Sequence, residues 1–417
     1  MSAMKEIQTD LLVIGGGPAG LAAALEGKKQ GIEKVLIVER DTSLGGILQQ
    51  CIHDGFGLMR FGARLSGGQY AQRFIDDVEK AGVEFLLDAM VLEISRDKTA
   101  YVCCREGMIQ IHARAIILAM GCRERTASQV LITGSRPVGV MTAGSVQRYI
   151  NISGYLPGKK AVILGSGDIG LIMARRMTLE GINVVGVYEA LPNPGGLTRN
   201  IVQCLEDYNI PLHLSRTVLS VHGMPRVTSV TTVAVDEKFN PIYGTEEEVS
   251  CDLVVLAVGL IPENELTKSL EVAMDPKTKG AILDDHFMTD VEGIYAVGNV
   301  AVVFDLVDYV SESGEIAARS AANYLKGLDT TSSYSHILSG EGVSFCVPQK
   351  ICVCKGTRDV QLFMRVKERM NTAILEVYDG SDLILSKRFA AVTPPEMISC
   401  CIKTDGKNDI TLIVRKQ

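Results

Sequence analysis

The chain has 417 residues, of which 47% are hydrophobic and 22% are charged, and its formal net charge is −7. These proportions are typical of a globular protein of about two to four domains and exclude a largely disordered chain. The acidic balance argues against a nucleic-acid partner. The longest uncharged stretch, Leu11–Leu25, is too short and too rich in glycine to span a membrane. Eleven cysteines, with no secretion leader at the N-terminus, predict reduced thiols and a cytoplasmic location.

The sequence repeats itself once, with an offset of 150 residues. Leu11–Arg40 and Ala161–Ala190 each predict a buried strand, a G-x-G-x-x-G turn, a helix and a second strand that ends in an acid. The aligned positions are Gly15 with Gly165, Gly17 with Gly167, Gly20 with Gly170, and Glu39 with Glu189. This order of elements is typical of a Rossmann-like dinucleotide-binding unit.

Each position of the fingerprint has a physical role. The first glycine permits a tight turn, the second lets a pyrophosphate approach backbone N–H groups, and the third allows close packing of helix and strand. The helix then presents free N–H groups to the diphosphate, and the acid can accept hydrogen bonds from ribose hydroxyls. We therefore expect two nucleotide sites. The alternative is a pair of Rossmann-like units that bind nothing.

Further motifs follow the first copy: Ser43-Leu44-Gly45-Gly46, Leu118–Gly121, Leu256–Pro262 and Gly293–Asn299. Over residues 8–330 the chain resembles the two-dinucleotide-fold flavoproteins, the family of thioredoxin reductase. The resemblance implies FAD in the first copy and NAD(H) in the second. The implied FAD-binding residues are Gly15, Gly17, Pro18, Ala19, Gly20, Glu39, Arg40, Gly45, Gly46, Val91, Gly121, Gly298, Asn299, Tyr309 and Val310. The implied NAD-binding residues are Gly165, Gly167, Asp168, Ile169, Gly170, Glu189 and Gly259.

Two of these residues, Tyr309 and Val310, begin an amphipathic helix predicted over Asp308–Arg319. In the family, the start of this helix directs N–H groups at the pyrimidine edge of the flavin, where they would stabilise the negative charge of reduction. A surface helix that closes the domain is the alternative. The family usually has Asp where this chain has Asn299, which keeps hydrogen-bonding capacity but lacks the charge.

The second copy favours NAD over NADP. Glu189 would repel a 2′-phosphate, and the residues after it, Ala190-Leu191-Pro192, include no Arg to receive one. In some relatives of this type, however, the second fold holds an adenine nucleotide that donates no hydride.

The redox cysteine pairs of the disulfide reductases are missing. The segment 136–150, where thioredoxin reductases carry C-x-x-C, contains no cysteine, and Gly45–Gly57 contains only Cys51. Reduction of disulfides needs two sulfurs in reach of each other, so we do not expect this activity.

Other segments resemble a narrower group. Gly46–Gly57, Gly121–Thr126 and Arg136–Met141 are similar to the FAD/NAD-type subunits of multi-subunit dehydrogenases: sarcosine-oxidase-alpha-like, opine-oxidase and hydrogen-cyanide-synthase subunits. They are also similar to short flavoproteins that accompany a glycerol-3-phosphate-dehydrogenase-like protein. The resemblance implies an oligomer in which a partner, possibly attached to the membrane surface, oxidises the substrate while this chain handles the electrons.

Single residues of the flavin loop and of the domain crossover are open to two interpretations. Cys51, His53 and Cys122 could take part in redox or proton relay, or line a pocket. Arg123, Glu124 and Arg125 could form a hinge ion pair or contact an anion, or be a solvated cluster. The spacing of Cys346, Cys352, Cys354, Cys400 and Cys401 matches neither zinc nor iron–sulfur patterns, and no metal is predicted.

The predicted fold is α/β, with two Rossmann-like domains of three layers (ββα/αβ) and a small β-rich C-terminal domain. The expected domains are 1–125 with 285–330 for FAD, 126–284 for NAD, and 331–417, after a linker at Thr330–Ser333. The last domain would dock a partner or an oligomer, or only cap the flavin domain.

The predicted function is that of an FAD-dependent oxidoreductase that exchanges electrons between NAD(H) and a partner dehydrogenase or acceptor, without a redox disulfide. No residue need act as acid or base, because the flavin carries the chemistry. Two rivals stay open: a self-contained NADH-dependent reductase of a small molecule, and an assembly subunit whose nucleotides are structural.

Overall fold

The computed structural model describes residues 4–328 and 333–417. Apart from Ser333, the predicted linker lies outside these residues. Packing divides the chain into two compact units. The first comprises Met1–Gln49, Asp54–Cys122 and Pro262–Gln417, and the second comprises Gln50–His53 and Arg123–Ile261.

The first unit is built on a seven-stranded sheet of order β5-β2-β1-β8-β7-β6, with a further strand against β8. Leu11–Ile14 at the end of β1 is buried because parallel strands are covered on both faces. Ser66 caps α3, since its Oγ accepts the N–H of Gln69 at 3.2 Å and the Gln69 side chain accepts the Ser66 N–H in return. The elements are β1 (Lys5–Ile14), α1 (Pro18–Lys29), β2 (Val35–Val38), β3 (Asp54–Phe56), α2 (Leu58–Phe61), β4 (Leu65–Ser66), α3 (Gly67–Lys80), β5 (Glu84–Leu86), β6 (Met90–Ile94), β7 (Thr99–Cys104) and β8 (Gly107–Leu118).

The second unit contains a five-stranded parallel sheet of order β11-β18-β12-β13-β14 and a second sheet of order β10-β15-β16-β17. The elements from Cys122 to Pro262 are β9 (Cys122–Glu124), β10 (Thr133–Gly134), β11 (Val140–Thr142), α4 (Ala143–Asn151), β12 (Lys160–Leu164), α5 (Asp168–Leu179), β13 (Asn183–Glu189), α6 (Thr198–Cys204), β14 (Leu212–Leu214), β15 (Arg216–His222), β16 (Ser229–Ala234), β17 (Glu247–Ser250), β18 (Leu253–Leu256) and β19 (Leu260–Pro262).

The chain then returns to the first unit through α7 (Glu265–Ser269), β20 (Ile294–Ala296) and α8 (Val307–Leu325). Strand β20 pairs in parallel with β8, and α8 packs on α1 so closely that a Cβ on Gly314 would lie 2.3 Å from the carbonyl oxygen of Ala19. The second domain is predicted to extend to residue 284. Within that range, Leu270, Val272 and Leu283 pack in the hydrophobic core of the first unit.

The last 85 residues form a β-sandwich. A five-stranded sheet, β23-β21-β28-β25-β26, and a three-stranded sheet, β22-β24-β27, share one hydrophobic core. The strands are β21 (Tyr334–Ser339), β22 (Val343–Val347), β23 (Lys350–Cys352), β24 (Arg358–Val366), β25 (Met370–Asp379), β26 (Asp382–Val392), β27 (Ile398–Thr404) and β28 (Ile410–Lys416). The predicted α/β fold with two Rossmann-like domains and a β-rich C-terminal region is confirmed.

Phe363 joins the sandwich to the rest of the first unit. Its fully buried ring lies 5.1 Å from Phe304, 5.3 Å from Tyr309 and 6.5 Å from Phe287. It therefore belongs to the hydrophobic core around the seven-stranded sheet although it lies on a strand of the sandwich. The sandwich is packed against the helix α8 that carries Tyr309.

We expect Phe363→Ala to lower the free energy of unfolding by about 3–5 kcal/mol, because a buried ring is lost and a cavity is left. Chemical denaturation followed by circular dichroism measures the change. Phe389→Ala is the matched control, since the ring of Phe389 is partly exposed. An equal cost for both variants would show that the contacts of Phe363 do not fasten the sandwich.

Candidate functional site

The first glycine of each copy leaves no room for a side chain. A Cβ at Gly15 would lie 2.5 Å from the carbonyl oxygen of Ala119, and one at Gly165 would lie 2.1 Å from that of Ala257. Their φ angles, +106° and +103°, lie in the region that favours glycine. The two copies thus share the same tight turn.

The third glycine brings the helix onto this turn. A Cβ at Gly20 would lie 1.9 Å from the carbonyl oxygen of Gly15, and one at Gly170 would lie 2.3 Å from that of Gly165. Any other residue would push the helix away from the end of the strand. The predicted close packing is therefore present in both copies.

The second glycine borders open space. A Cβ on Gly17 or Gly167 would find no protein atom within 4 Å, and each residue caps a helix of 12 residues, α1 or α5. The first N–H groups of a helix lack intrahelical acceptors and carry the positive end of its dipole. Both copies therefore offer a cradle with donors that fits a diphosphate. Pro18 and Ala19 open α1, and Asp168 and Ile169 open α5.

The two acids have matching hydrogen bonds. Glu39 accepts the N–H of Gly16 at 2.7 Å and that of Asp41 at 2.8 Å. Glu189 accepts the N–H of Ser166 at 2.9 Å and that of Leu191 at 3.0 Å. Each carboxylate is thus fixed between the fingerprint and the loop that follows its strand, beside the cradle. Arg40, which follows Glu39, is exposed.

The loop at Gly45 and Gly46 lies on the first fingerprint. The N–H of Gly45 donates to the carbonyl oxygen of Gly16 at 2.8 Å, and a Cβ on Gly46 would lie 3.0 Å from Cα of Gly17. This places the predicted FAD residues Gly17, Glu39, Gly45 and Gly46 at one location.

Val91 lies on β6, which β8 and β7 separate from β1, and its side chain is buried in the core. The backbone before it passes next to the acid, since the N–H of Ala89 donates to the carbonyl oxygen of Glu39 at 3.0 Å. No local motif in the sequence marks this backbone contact.

The predicted residues of the late flavin motif converge on α1. A Cβ on Gly298 would lie 2.8 Å from the side chain of Ala19 and 3.2 Å from that of Val310. The N–H of Gly298 donates to Oγ of Ser313 at 2.9 Å. Ser313 was missed at the sequence level, since only the fold brings a serine of α8 to this turn. Tyr309 is half-buried, and burial raises the pKa of its hydroxyl.

Asn299, the amide at the position where the family usually has a carboxylate, has two hydrogen-bond partners, one of them distant in the sequence. Its Nδ2 lies 3.5 Å from Sγ of Cys122, towards which it donates, and its Oδ1 accepts the N–H of Phe304 at 3.0 Å. A carboxylate could not donate to the sulfur. Gly121, next to Cys122, has a φ of +73° and borders open space.

In the second unit, the charged residues around the crossover have structural partners. Both carboxylate oxygens of Glu124 accept the N–H of Gly144 at 2.9 Å, which places a negative charge at the start of α4. The N–H of Arg125 donates to the carbonyl oxygen of Gly259 at 3.0 Å. Gly259, which lies between β18 and β19, is thus held beside an arginine.

Cys51 is buried, and burial raises the pKa of its thiol to about 11. The Sγ lies 3.8 Å from Oε1 of Gln147, to which it donates. The thiol is therefore protonated near neutral pH, and a thiol is a far weaker nucleophile than a thiolate. His53, two residues on, is half-exposed.

One group of possible metal ligands is present among the described residues: Asp285, His286 and Cys352, whose ligand atoms lie within 4.8 Å of one another. Asp285 is already used, because Arg358 binds it through Nε at 2.9 Å and Nη2 at 2.6 Å, and the N–H of Cys352 donates to it at 2.7 Å. Burial and the neighbouring carboxylates raise the pKa of the Cys352 thiol. A cation would have to displace a guanidinium here, so the group fits an ion-paired link to the sandwich better than a metal site.

The sequence matches a known protein family over most of its length. Residues 9–321 match the family described as pyridine nucleotide-disulphide oxidoreductase. The chain belongs to this family. Its members bind FAD and a pyridine nucleotide, which agrees with the two cradles, and the predicted flavoprotein resemblance is confirmed.

Individual relatives are distant. The chain is 26% identical over 275 residues to the hydrogen cyanide synthase protein HcnB of Pseudomonas aeruginosa, a subunit of that enzyme, in a match to 62% of this chain and 58% of that protein. It is 25% identical over 352 residues to an opine oxidase subunit of Agrobacterium tumefaciens, covering 79% and 68%. The fold matches thioredoxin reductase of T. acidophilum with a TM-score of 0.63 at 21% identity, covering 77% and 99%.

The helices of the described residues are all too short or too polar to cross a bilayer.

We expect Gly17→Val to lose its flavin, because the new side chain enters the space that only a ligand would fill. The measurement is the ratio of flavin absorbance to protein absorbance after purification. Gly68→Ala is the control, since its Cβ would meet nothing closer than 4.0 Å and it lies outside the fingerprint. Full flavin content in Gly17→Val would refute the assignment of FAD to the first copy.

Proposed function

We propose that this protein is an FAD-dependent oxidoreductase that exchanges electrons between NAD(H) and a partner dehydrogenase or acceptor, without a redox-active disulfide. The observation that carries the proposal is the duplicated cradle. Two open spaces at helix starts, each with a fixed acid beside it, recur 150 residues apart with the same backbone contacts.

The first copy would hold FAD. Gly17 and the start of α1 would bind the diphosphate, Glu39 would accept a ribose hydroxyl, and Gly45 and Gly46 would line the seat beside Gly17. When bound, FAD supplies hydride and electron transfer, which the protein tunes but does not perform.

The start of α8 would tune the charge of the cofactor. Tyr309 and Val310 lie in its first turn, and Gly298 contacts Val310. The free N–H groups of a 19-residue helix favour negative charge placed before them. Phe363 fixes Tyr309 from the sandwich side, so this turn is held in position by packing.

The second copy would hold NAD(H). Glu189 is oriented by three hydrogen bonds from Ser166 and Leu191, and it would accept a ribose 2′-hydroxyl. Ala190 and Leu191 follow it and supply no positive charge for a 2′-phosphate.

A thiol mechanism has little support. The pKa of Cys51 is raised to about 11, so almost no thiolate is present at neutral pH. Cys122 contacts an amide donor, and Cys346, Cys352 and Cys400 are buried in or at the edge of the sandwich.

A protein partner is supported by the names of two relatives, each of which is a subunit of a larger enzyme. The sequence resemblance alone suggests the type of partner, a second flavoprotein subunit of the glycerol-3-phosphate-dehydrogenase type. The decisive experiment is anaerobic titration of the purified flavoprotein with NADH, followed by addition of the candidate partner and its substrate.

Bleaching of the flavin by NADH, with reoxidation only through the partner, is the expected result. Rapid turnover with a small-molecule acceptor alone would favour a self-contained reductase. A flavin that neither NADH nor the partner reduces would leave only an assembly role for this chain.

We expect NADH to bind at least tenfold more tightly than NADPH. A 2′-phosphate would lose a hydrogen bond to a charged group, worth about 1.5–3 kcal/mol, and would face the charge of Glu189. Calorimetric titration of both nucleotides measures the preference. The double variant Glu189→Ser, Ala190→Arg should narrow or reverse it. Equal affinities for NADH and NADPH in the unmodified protein would show that Glu189 does not bind the ribose 2′-hydroxyl.

We expect the variants Cys51→Ser and Cys122→Ser each to keep NADH-to-dye activity within about tenfold of the unmodified protein, since a dithiol relay is not used. In a Cys122→Ser background, alkylation at Cys51 should be slow at pH 7.5 and rise with pH towards the pKa of about 11, because only the thiolate reacts. Mass spectrometry of the modified peptide follows the rate. A thousandfold loss of activity in either variant would instead support a thiol mechanism.

A further inference from the structure

The internal repeat extends beyond the second strand. With the same offset of 150 residues, Gly45-Gly46 of the first copy aligns with Gly195-Gly196 of the second. Gly45 and Gly46 are part of the expected flavin seat, whereas Gly195 and Gly196 lie outside every motif of the second nucleotide fold described above.

Both diglycine loops lie on the second glycine of their own fingerprint. A Cβ on Gly46 would be 3.0 Å from Cα of Gly17, and a Cβ on Gly195 would be 3.6 Å from N of Gly167. The N–H of Gly45 donates to the carbonyl oxygen of Gly16, and the N–H of Gly195 donates to Oγ of Ser166 at 2.9 Å. The equivalent loops thus contact equivalent residues of the two turns.

The second loop is fastened by side chains that the first copy lacks. Ser166, which aligns with Gly16, is fully buried and donates through Oγ to Glu189 at 2.7 Å while it accepts the N–H of Gly195. The ribose-type acid and the diglycine loop are therefore joined through one hydroxyl.

Asp168 provides the other attachment. Its Oδ1 accepts the N–H of Leu197 at 2.9 Å and Nδ2 of Asn200 at 2.7 Å. The aligned residue of the first copy is Pro18, which has no polar side chain. The carboxylate at the start of α5 is thus occupied by the loop, and the loop is held in place without any ligand.

Gly195 is suited to line a ligand. Its φ lies outside the region that favours glycine, and the nearest atoms to an added Cβ, at 3.6–3.9 Å, belong to Ser166 and Gly167. A methyl group would therefore cause neither strain nor a clash in the protein, although it would stand next to the N–H of Gly167. Gly196 differs, since its Cβ would lie 2.6 Å from the side chain of Leu171.

We propose that Gly195 and Gly196 form a side wall of a diphosphate seat, directly beside Gly167, and that Ser166 and Asp168 hold this wall preformed. The ligand would be a nucleotide that contains a diphosphate, either a nucleoside diphosphate or a dinucleotide. ADP is the simplest such nucleotide. The inference rests on the proposed function only in that it assigns a nucleotide to the second copy. It adds loop residues that grip the diphosphate.

The test uses the full chain and ADP, with AMP as the ligand that lacks the second phosphate. Nucleotide that survives purification is first measured by chromatography of the denatured protein and then removed by dialysis. Calorimetry should show ADP binding at least tenfold more tightly than AMP. Gly195→Ala should weaken ADP binding at least tenfold and leave the flavin content unchanged, whereas Gly17→Ala should lose flavin and keep ADP.

Ser166→Ala is the second loop variant, since it removes the hydroxyl that holds Gly195, and it should also weaken ADP binding. Gly68→Ala should change neither the flavin content nor the affinity for ADP. Unchanged ADP affinity in both loop variants, or equal affinity for ADP and AMP, would overturn the proposal. If ADP binds as expected but NADH leaves the flavin oxidised, the seat stands and the electron-transfer function fails. If NADH bleaches the flavin but the loop variants do not change the affinity for ADP, the electron-transfer function stands and the proposed diphosphate seat is wrong.

Discussion

Helix α1 crosses the end of strand β1 at a distance that leaves no room for a methyl group. A Cβ at Gly20 would lie 1.9 Å from the Gly15 carbonyl oxygen, so two glycines set the position of the whole helix. This approach directs the free N–H groups of the helix at the strand end, where the acid of the next strand is also fixed. The second copy reproduces the approach with Gly165 and Gly170. Both turns therefore require glycine at these positions. The N–H groups at the start of each helix can reach the strand end only because helix and strand backbones approach this closely.

The two copies reach the same backbone arrangement by different means. In the first, the loop rests on Gly16 through a backbone hydrogen bond, and Pro18 opens the helix. In the second, Ser166 and Asp168 supply side-chain hydrogen bonds to the equivalent loop. The first seat is thus shaped mainly by packing and the second mainly by polar contacts.

Much of the site was predictable from the sequence because the glycine spacing and the strand–helix order are local. The turn at Gly15, the helix from Pro18 and the orientation of Glu39 follow from residues within one stretch of the chain. The contacts of Gly298 with Ser313, of Asn299 with Cys122, and of Ala89 with Glu39 could not be predicted, since only the fold brings these segments together.

The alternation of residues on strand β24 contains a signal from which the packing of the sandwich against the rest of the first unit could have been predicted. Val360, Leu362, Met364 and Val366 alternate toward the core of the sandwich, whereas Phe363 is out of phase and yet fully buried. A large apolar residue on the outer face of a strand indicates a second packing partner. Here the packing partners are Phe287, Phe304 and Tyr309 of the first unit.

The pairing of β20 with β8 and the packing of α8 on α1 have a consequence for synthesis on the ribosome. The first sheet begins at Lys5, but the strand and helix that complete it are not made until residues 294–325. Almost all of the second unit, Arg123–Ile261, is translated in between as one continuous stretch. It can fold as soon as it emerges, while the C-terminal end of β8, with which β20 later pairs, waits with one edge unpaired. This edge of the nascent chain therefore stays open to pairing with other chains until residues 294–296 have been made.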